Sequence, residues 1–350
     1  MGGLDDGPRG VSRAMSLAPF IALFKRGQLG AALAAHALHR PFYKLSYLAA
    51  LKSTGMMDRL CAGPVSFETL AATYAPGAKA GEALQAWLQM GCKLRLLRLG
   101  RQGYALHGLA KTLALPRNDA TLALTQEVAS LHYRLITDTP TKLRAGELWR
   151  LEDQDGALTA RSSRALEVFQ LRALERFVPQ SGACHLLEVG CGSAIYIRHA
   201  ALRNPRLTAV GLELQDNVAR LAQQNVHRWG LQQRVRIELG DIRHYPGEAG
   251  FDLVTLYNNI YYFALDERVA LLAKTRSLLR PHGALLLVTC CQGGNPGIEA
   301  LNLWGASNAH GGRLPYAPEL VEQLTQAGYA RVETMRLIPG DSFYAFHARR

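Results

Sequence analysis

The sequence predicts an α/β protein: a doubly wound, mainly parallel sheet fills the C-terminal half, and a mainly α region with a winged-helix pattern precedes it. Three observations carry this reading. From residue 184 to residue 327, short apolar runs alternate with amphipathic helical runs, as in a parallel sheet covered by helices on both faces. Gly190-Cys191-Gly192 follows directly on the apolar run Leu186-Leu187-Glu188-Val189. Glycine at such a turn lets the backbone bend sharply and approach a ligand closely. Between residues 43 and 106, three helical patterns lead into two short strand patterns separated by Gly100-Arg101-Gln102-Gly103.

At 350 residues the chain exceeds one ordinary core, so two domains are expected. The expected organisation is a loose tail over 1–15, a winged-helix unit over 16–120, a helical connector or lid over 121–180 and a ligand-binding sheet unit over 181–350. The net charge of +12 is compatible with nucleic-acid binding. Residues 1–180 hold 23 Lys/Arg against 14 Asp/Glu, and residues 181–350 hold 17 against 14, so the excess is mostly N-terminal. It consists of scattered single arginines with no dense run, which reads as a solvated basic face.

The six cysteines (Cys61, Cys92, Cys184, Cys191, Cys290 and Cys291) show no C-x-x-C spacing. Neither a metal site nor a disulfide scaffold is expected, only reduced and mostly buried thiols. No apolar run approaches the ~18 residues that span a bilayer. The apolar stretch 17–24 is short, has Asp5 and Asp6 upstream and ends at Lys25-Arg26, which does not fit a signal peptide. A cytoplasmic protein with no membrane contact is expected.

Taken in order, 43–51 has helical spacing stopped by Gly55, and 66–74 is a short helix with Ser66 as a cap. Residues 80–90 form a third helix, and 94–99 with 104–106 form the wing. A winged helix that reads DNA inserts its third helix into the major groove. That helix offers Lys79, Glu82, Gln85 and Gln89 among Ala, Leu and Trp87, a set poor in base-reading and phosphate-binding groups. The Ala/Leu-rich stretch 29–51 fits self-association better, so a homodimer through the N-terminal unit is expected. Helices are then expected over 122–136, 142–149 and 162–178, with a break at Thr139-Pro140 and an acidic surface loop at 152–156. They carry Tyr133 and Trp149 as candidates for lining a substrate pocket.

In the C-terminal half, strands are expected at 207–212, 235–239, 251–256 and 284–289, with helices at 195–203, 215–229, 266–279 and 318–327. Residues 331–338 and 342–348, on either side of Pro339-Gly340-Asp341, form a closing antiparallel hairpin. Ligands of such sheets sit outside the carboxyl ends of the strands. Glu188, Glu213 with Leu214, Asp241 with Ile242, and Asn258 occupy those ends. Glu213 lies 21 residues after Gly192, where an acid accepts hydrogen bonds from ribose hydroxyls. Asp241 is placed to accept from an adenine amino group while Ile242 packs on the ring. An adenosine fits these positions. A triphosphate does not, because no G-K-[ST] loop follows the turn, and a dinucleotide fingerprint would put its third glycine at Ile195.

The order Leu-Glu188-Val-Gly190-Cys191-Gly192, Glu213, Gly-Asp241-Ile242, Phe251-Asp-Leu-Val and Leu-Leu-Arg280-Pro-His-Gly-Ala-Leu-Leu-Leu-Val resembles the class I S-adenosylmethionine-dependent methyltransferases. With the winged helix before it, the chain is similar to the small-molecule methyltransferases of secondary metabolism that carry an N-terminal dimerisation domain, over roughly residues 40–350. The resemblance implies a Rossmann-like sheet and S-adenosylmethionine as cofactor. It puts Gly190 to Gly192 against the methionine part, Glu188 on the amino-acid end, Glu213 on the ribose, and Asp241 with Ile242 on the adenine. Ala194 departs from a third glycine that many members carry.

In the O-methyltransferases of this group, a histidine after the fourth strand acts as general base. Here the stretch reads Tyr257-Asn258-Asn259-Ile260-Tyr261-Tyr262, so Tyr261 or Tyr262 takes that place. A phenol with a pKa of about 10 is a poor base near neutrality. Methyl transfer to an electron-rich oxygen, nitrogen or carbon then rests on positioning and desolvation. Asn259 is a candidate for orienting substrate, and Trp304, Asn308 and His310 are candidates in the substrate wall, with His310 as a displaced base. The expected function is methylation of a small aromatic or heteroaromatic metabolite. The alternatives are a nucleic-acid methyltransferase, or a DNA-binding regulator that senses the cofactor.

Overall fold

A computed structural model describes residues 17–247 and 249–350; the expected tail over 1–15 lies outside the described residues. The N-terminal half runs α1 (Ala18–Lys25), α2 (Leu29–Ser53), α3 (Met56–Cys61), α4 (Phe67–Tyr74), α5 (Ala78–Lys93), β1 (Leu97–Gly100), β2 (Gly103–Leu106) and α6 (Gly108–Leu113). Ser66 caps α4 by accepting a hydrogen bond from the Thr69 amide at 3.3 Å. β1 and β2 pair antiparallel, Leu97 opposite Leu106, and Val65 bridges to Tyr104 as a third short edge. The helices and the hairpin enclose their own core, with Leu51, Met57, Leu70, Leu88 and Leu96 all buried. The element order in this half is a run of helices, then the β1–β2 hairpin, then α6. The first helix is far longer than its expected span of 43–51, because α2 continues through Pro41.

The connector comprises α7 (Asp119–Glu127), a wide π-helical turn at Val128–His132, α8 (Tyr133–Arg144), α9 (Gly156–Ser162) and α10 (Glu167–Phe177). Three expectations are corrected here. The chain does not break at Thr139-Pro140: α8 runs through Pro140. Proline leaves the carbonyl four residues earlier without its partner, and Ile136, whose carbonyl this is, lies exposed where water can serve it. The expected helix 142–149 ends at Arg144, and Trp149 instead bridges to Asn308 through hydrogen bonds with Ser307 and Ala309 at 2.9 and 2.8 Å. The expected loop 152–156 gives way to a 3-10 turn (Leu151–Asp153) and then α9, capped by Asp155 on the Leu158 amide.

The C-terminal half alternates β3 (Cys184–Val189), α11 (Ile195–Arg203), β4 (Leu207–Glu213), α12 (Asp216–Arg228), β5 (Val235–Leu239), β6 (Phe251–Tyr257), α13 (Arg268–Ser277) and β7 (Leu279–Cys290). It ends with α14 (Pro296–Ser307), α15 (Ala317–Gln326), β8 (Arg331–Arg336) and β9 (Phe343–Arg349). The seven strands lie in the order β5-β4-β3-β6-β7-β9-β8. β9 pairs antiparallel with both β7 and β8, and the other pairs are parallel. β3, β4 and β6 are apolar on both sides because helices cover both faces, while the edge strand β5 exposes Arg236; the sheet carries two separate cores. The expected α/β sheet with its closing hairpin is present. One element of it was not foreseen: α14 interrupts the stretch 290–315, with Asn295 capping the Gly297 and Ile298 amides and Pro296 in the first turn.

Candidate functional site

Sequential connections leave β3 toward β4 on one side, and β6 lies on its other side. The strand order reverses at this point, where open α/β sheets leave a crevice at the strands' carboxyl ends. The glycine turn lies in that crevice. The Gly190 and Cys191 amides donate to the Leu212 carbonyl at 2.8 and 3.0 Å, tying the turn to β4. Gly190 and Gly192 take φ of +66° and +54°, which side chains rarely adopt. A Cβ on Gly192 would project into open space, so the turn presents bare backbone to the crevice. Ala194 also takes a left-handed φ, +62°, at a cost of about 1–2 kcal/mol. This is the place of the family's third glycine.

Glu213 ends β4 and holds the turn: its Oε2 accepts from the Gly192 amide at 2.9 Å and its Oε1 from the Gln215 amide at 3.1 Å. The neighbouring Leu214 is exposed. Asp241, after β5, binds the Arg243 guanidinium through both oxygens and the Arg243 backbone amide at 2.9 Å. Burial alone would raise the Asp241 pKa; hydrogen bonds from Arg243 overcome this and hold it below the usual carboxylate value. Sequence reasoning missed that partner. Ile242 is buried beside it.

Under the turn lies a cavity of about 60 Å³, lined by Glu188, Gly190, Cys191, Gly192, Tyr257 and Asn258 from the sheet and by Arg164 and Gln170 from the connector. Three of its polar atoms are unpaired. Glu188 is 1% exposed, and Glu188 Oε2, the Tyr257 hydroxyl and Asn258 Oδ1 are buried without a hydrogen-bond partner among the described residues. Burial, and then the charge of Glu213, push the Glu188 pKa well above its ordinary value. Each buried unsatisfied group costs about 1–3 kcal/mol. Such a set persists where a ligand brings the missing donors. Arg164, paired with Glu167 at 2.9 Å, is the one cation lining the cavity. Acceptors for an ammonium, a guanidinium for a carboxylate and bare glycine backbone fit the amino-acid end of S-adenosylmethionine. Arg164, in a 3-10 turn (Ser163–Leu166), and Gln170, in α10, escaped sequence analysis because both fall inside the one helix expected over 162–178, where no spacing marks either as facing a ligand.

After β6, Tyr261 is 5% exposed and its ring lies 4.8 Å from that of Tyr262. Burial raises both phenol pKa values, that of Tyr261 far above 10. Both phenols are thus held in the neutral, protonated form near neutrality. The Tyr262 hydroxyl donates to Gln154 Oε1 at 3.2 Å, Gln154 Nε2 donates to Thr159 Oγ1 at 2.6 Å, and Thr159 donates to Glu127 Oε1 at 2.9 Å. Asn259 donates to the Val189 carbonyl at 2.6 Å, so its amide group secures the turn.

Of the remaining candidates, Trp304 joins the tyrosines, its side chain within hydrogen-bonding reach of Tyr262; the others do not line the small cavity. Trp149 is fully buried, with its indole on Thr139 Oγ1 at 2.8 Å and its ring 6.5 Å from that of Trp304, also buried. Asn308 accepts from the His310 amide at 3.0 Å. His310 itself is exposed and Tyr133 is half-exposed beside Phe42; neither lines the small cavity.

Residues 186–283 match the family described as a methyltransferase domain. An L-tyrosine C(3)-methyltransferase of Streptomyces lavendulae is 28% identical over 154 residues, covering 43% of this chain and 42% of that protein. The chain thus matches about two fifths of that relative's length. The structure of mitomycin 7-O-methyltransferase superposes with a TM-score of 0.75 at 17% identity, covering 93% of this chain and 99% of that one. Human N-acetylserotonin methyltransferase, solved in complex with SAM, gives 0.67 at 16% identity over 97% and 99%. The fold is that of the class I S-adenosylmethionine-dependent methyltransferases, and S-adenosylmethionine is the cofactor of that class.

Proposed function

We propose that this protein transfers a methyl group from S-adenosylmethionine to a small aromatic metabolite, by positioning and desolvation rather than through a histidine base. The bound cofactor supplies a methyl group on a sulfonium centre. The observation that carries the reading is the small cavity, where Glu188 Oε2 and Asn258 Oδ1 face bare glycine backbone with no donor of their own. Glu213 and Asp241, at the ends of β4 and β5, take the ribose and adenine in this reading. Beyond β6 the buried, neutral tyrosines supply shape and hydrogen bonds and exclude water, which strengthens the electrostatics of an acceptor that arrives electron-rich. Calorimetry with S-adenosylhomocysteine tests this: micromolar binding is expected, and none at millimolar ligand ends the proposal.

Self-association belongs to the same reading. α1 buries no residue, and α2 buries only Tyr47, Leu48 and Leu51 near its C-terminal end. Phe20, Phe24, Leu33 and Leu38 are all more than half exposed. Helices of this kind are marginal alone in water, and a second copy of the chain would cover the apolar faces. Light scattering is expected to give twice the chain mass.

A further inference from the structure

A second cleft, of about 540 Å³, lies between the last turns of α2, the junction of α7 with the π-helical turn, and the segment leading into α9. Glu127 lines it and is 8% exposed. One carboxylate oxygen accepts from Thr159. The other takes part in no hydrogen bond or ion pair among the described residues, and none of the ion pairs there involves Glu127. The titratable base beside it is His132, where burial outweighs the pull of Glu127 and favours the neutral imidazole, so a buried carboxylate with no fixed cation is costly unless a ligand supplies the charge.

The surroundings agree. Gln126 lines the same cleft, and its side-chain oxygen is buried with no donor. Asp153 and Asp155 add negative charge at the wall, although each has a structural task, accepting from the Arg150 and Leu158 amides. The one cation lining the cleft, Arg134, is directed elsewhere: it lies 3.8 Å from Asp138 and over the Trp149 ring. The cleft is therefore acidic in a chain of net charge +12. α9 and the turn after it form a thin partition, with Leu158 and Thr159 on the cleft and Ala160 and Arg164 on the cofactor-side cavity. The hydrogen-bonded chain Glu127–Thr159–Gln154–Tyr262 crosses from the cleft to the end of β6.

We propose that the cleft binds the protonated amine of a small aromatic amine substrate, with Glu127 as its counter-ion and Gln126 as a second acceptor. An ammonium offers three donors and no acceptor, which matches the two unpaired oxygens. Leu131 and Leu158 leave apolar wall for the ring. The identification of this ligand as the methyl acceptor rests on the methyltransferase reading; the preference for an amine does not.

The test is calorimetry of the full chain saturated with S-adenosylhomocysteine, titrated with tyramine, with its neutral isostere tyrosol and with 4-hydroxyphenylacetate. Tyramine is expected to bind about tenfold or more tighter than tyrosol, the ratio for one charge-assisted hydrogen bond. The carboxylate is expected to bind weakest. Glu127→Gln keeps the shape and the Thr159 contact and should bring the tyramine-to-tyrosol ratio near one, with retained S-adenosylhomocysteine binding as the check that it folds. Equal binding of tyramine and tyrosol by the wild-type chain, tighter binding of the carboxylate, or no tyramine binding at millimolar concentration overturns the proposal. If S-adenosylhomocysteine itself does not bind, the methyltransferase reading falls. The same three ligands on the free chain then decide the cleft by the same criteria.

Discussion

The two cavities share a device and differ in what builds it. Glu188 and Glu127 are both buried carboxylates, and among the described residues neither has hydrogen bonds to both of its oxygens. Glu188, near the end of a central strand, lines a space of about 60 Å³ walled by the Gly190–Gly192 turn and by side chains of the sheet and the connector. Glu127 ends a helix and opens on about 540 Å³ walled by side chains from separate helices. A turn at strand ends is held in place by the sheet, whereas side chains on surface helices vary without disturbing it. In the proposed reading, this difference puts the methyl donor at the strand ends and the choice of acceptor with the connector helices.

The sharpest way to break this comparison is to fill the donor side. Gly192→Leu puts a side chain where only open space meets a Cβ, at a φ of +54°. S-adenosylhomocysteine affinity is expected to fall more than about 100-fold, against a folding cost of about 1–2 kcal/mol from the backbone conformation. A variant that folds and binds normally would show that the turn does not touch the cofactor.

Glu188→Gln tests the unpaired acid. Burial, then Glu213, raises its pKa in the folded state. Its contribution is therefore most favourable below the unfolded value of about 4.3 and is lost as pH rises toward the folded value. At pH 7 the ligand-free glutamine variant should be more stable than wild type by about 1–3 kcal/mol, a gain that vanishes near pH 4. S-adenosylhomocysteine should bind it about 10–100-fold more weakly, because a charged acceptor is lost. Denaturant melts at the two pH values and calorimetry measure both; a variant no more stable at pH 7 breaks the argument.

These first two sites were legible in the sequence, and the reason is physical. A glycine turn between a strand and a helix, with acids at strand ends, is a local pattern of residue types at fixed spacing. The sheet and its closing hairpin were legible for the same reason. The connector was not. Pro140 and Pro41 look like helix breaks, yet each is absorbed within a helix. Asn295-Pro296 looks like a loop but caps α14. Arg164 and Glu127 acquire their surroundings only when segments far apart in the chain meet. Asp241 was found and Arg243, its partner, was overlooked, because a surface arginine two residues on carries no signal until a side chain is seen to fold back.

Tyr262→Phe separates a base from a positioning group. The hydroxyl donates to Gln154 at 3.2 Å, and burial raises its pKa, so loss of one neutral hydrogen bond should cost kcat less than about tenfold. The pH profile of kcat/KM should stay in place. A loss beyond about 100-fold, with a displaced alkaline limb, would make the tyrosine the base and remove the contrast between a rigid donor side and an adaptable acceptor side.

The smallest effect concerns the joint between the two regions. His347 on β9 stacks on Phe177 of α10, with ring centroids 3.9 Å apart and planes 10° from parallel. This contact presses the connector onto the sheet beneath the wall that Gln170 contributes to the small cavity. Burial, then Arg349, lowers the His347 pKa, with Glu333 opposing and Arg176 assisting. The unfolded chain therefore binds the proton first, and stability falls as pH drops below about 6.5, opposite in sign to Glu188. Between pH 7.5 and 5.5 the wild-type melting temperature should fall about 2 °C more than that of His347→Phe, which keeps the stack and removes the proton site. Equal falls would mean that the joint does not sense acid.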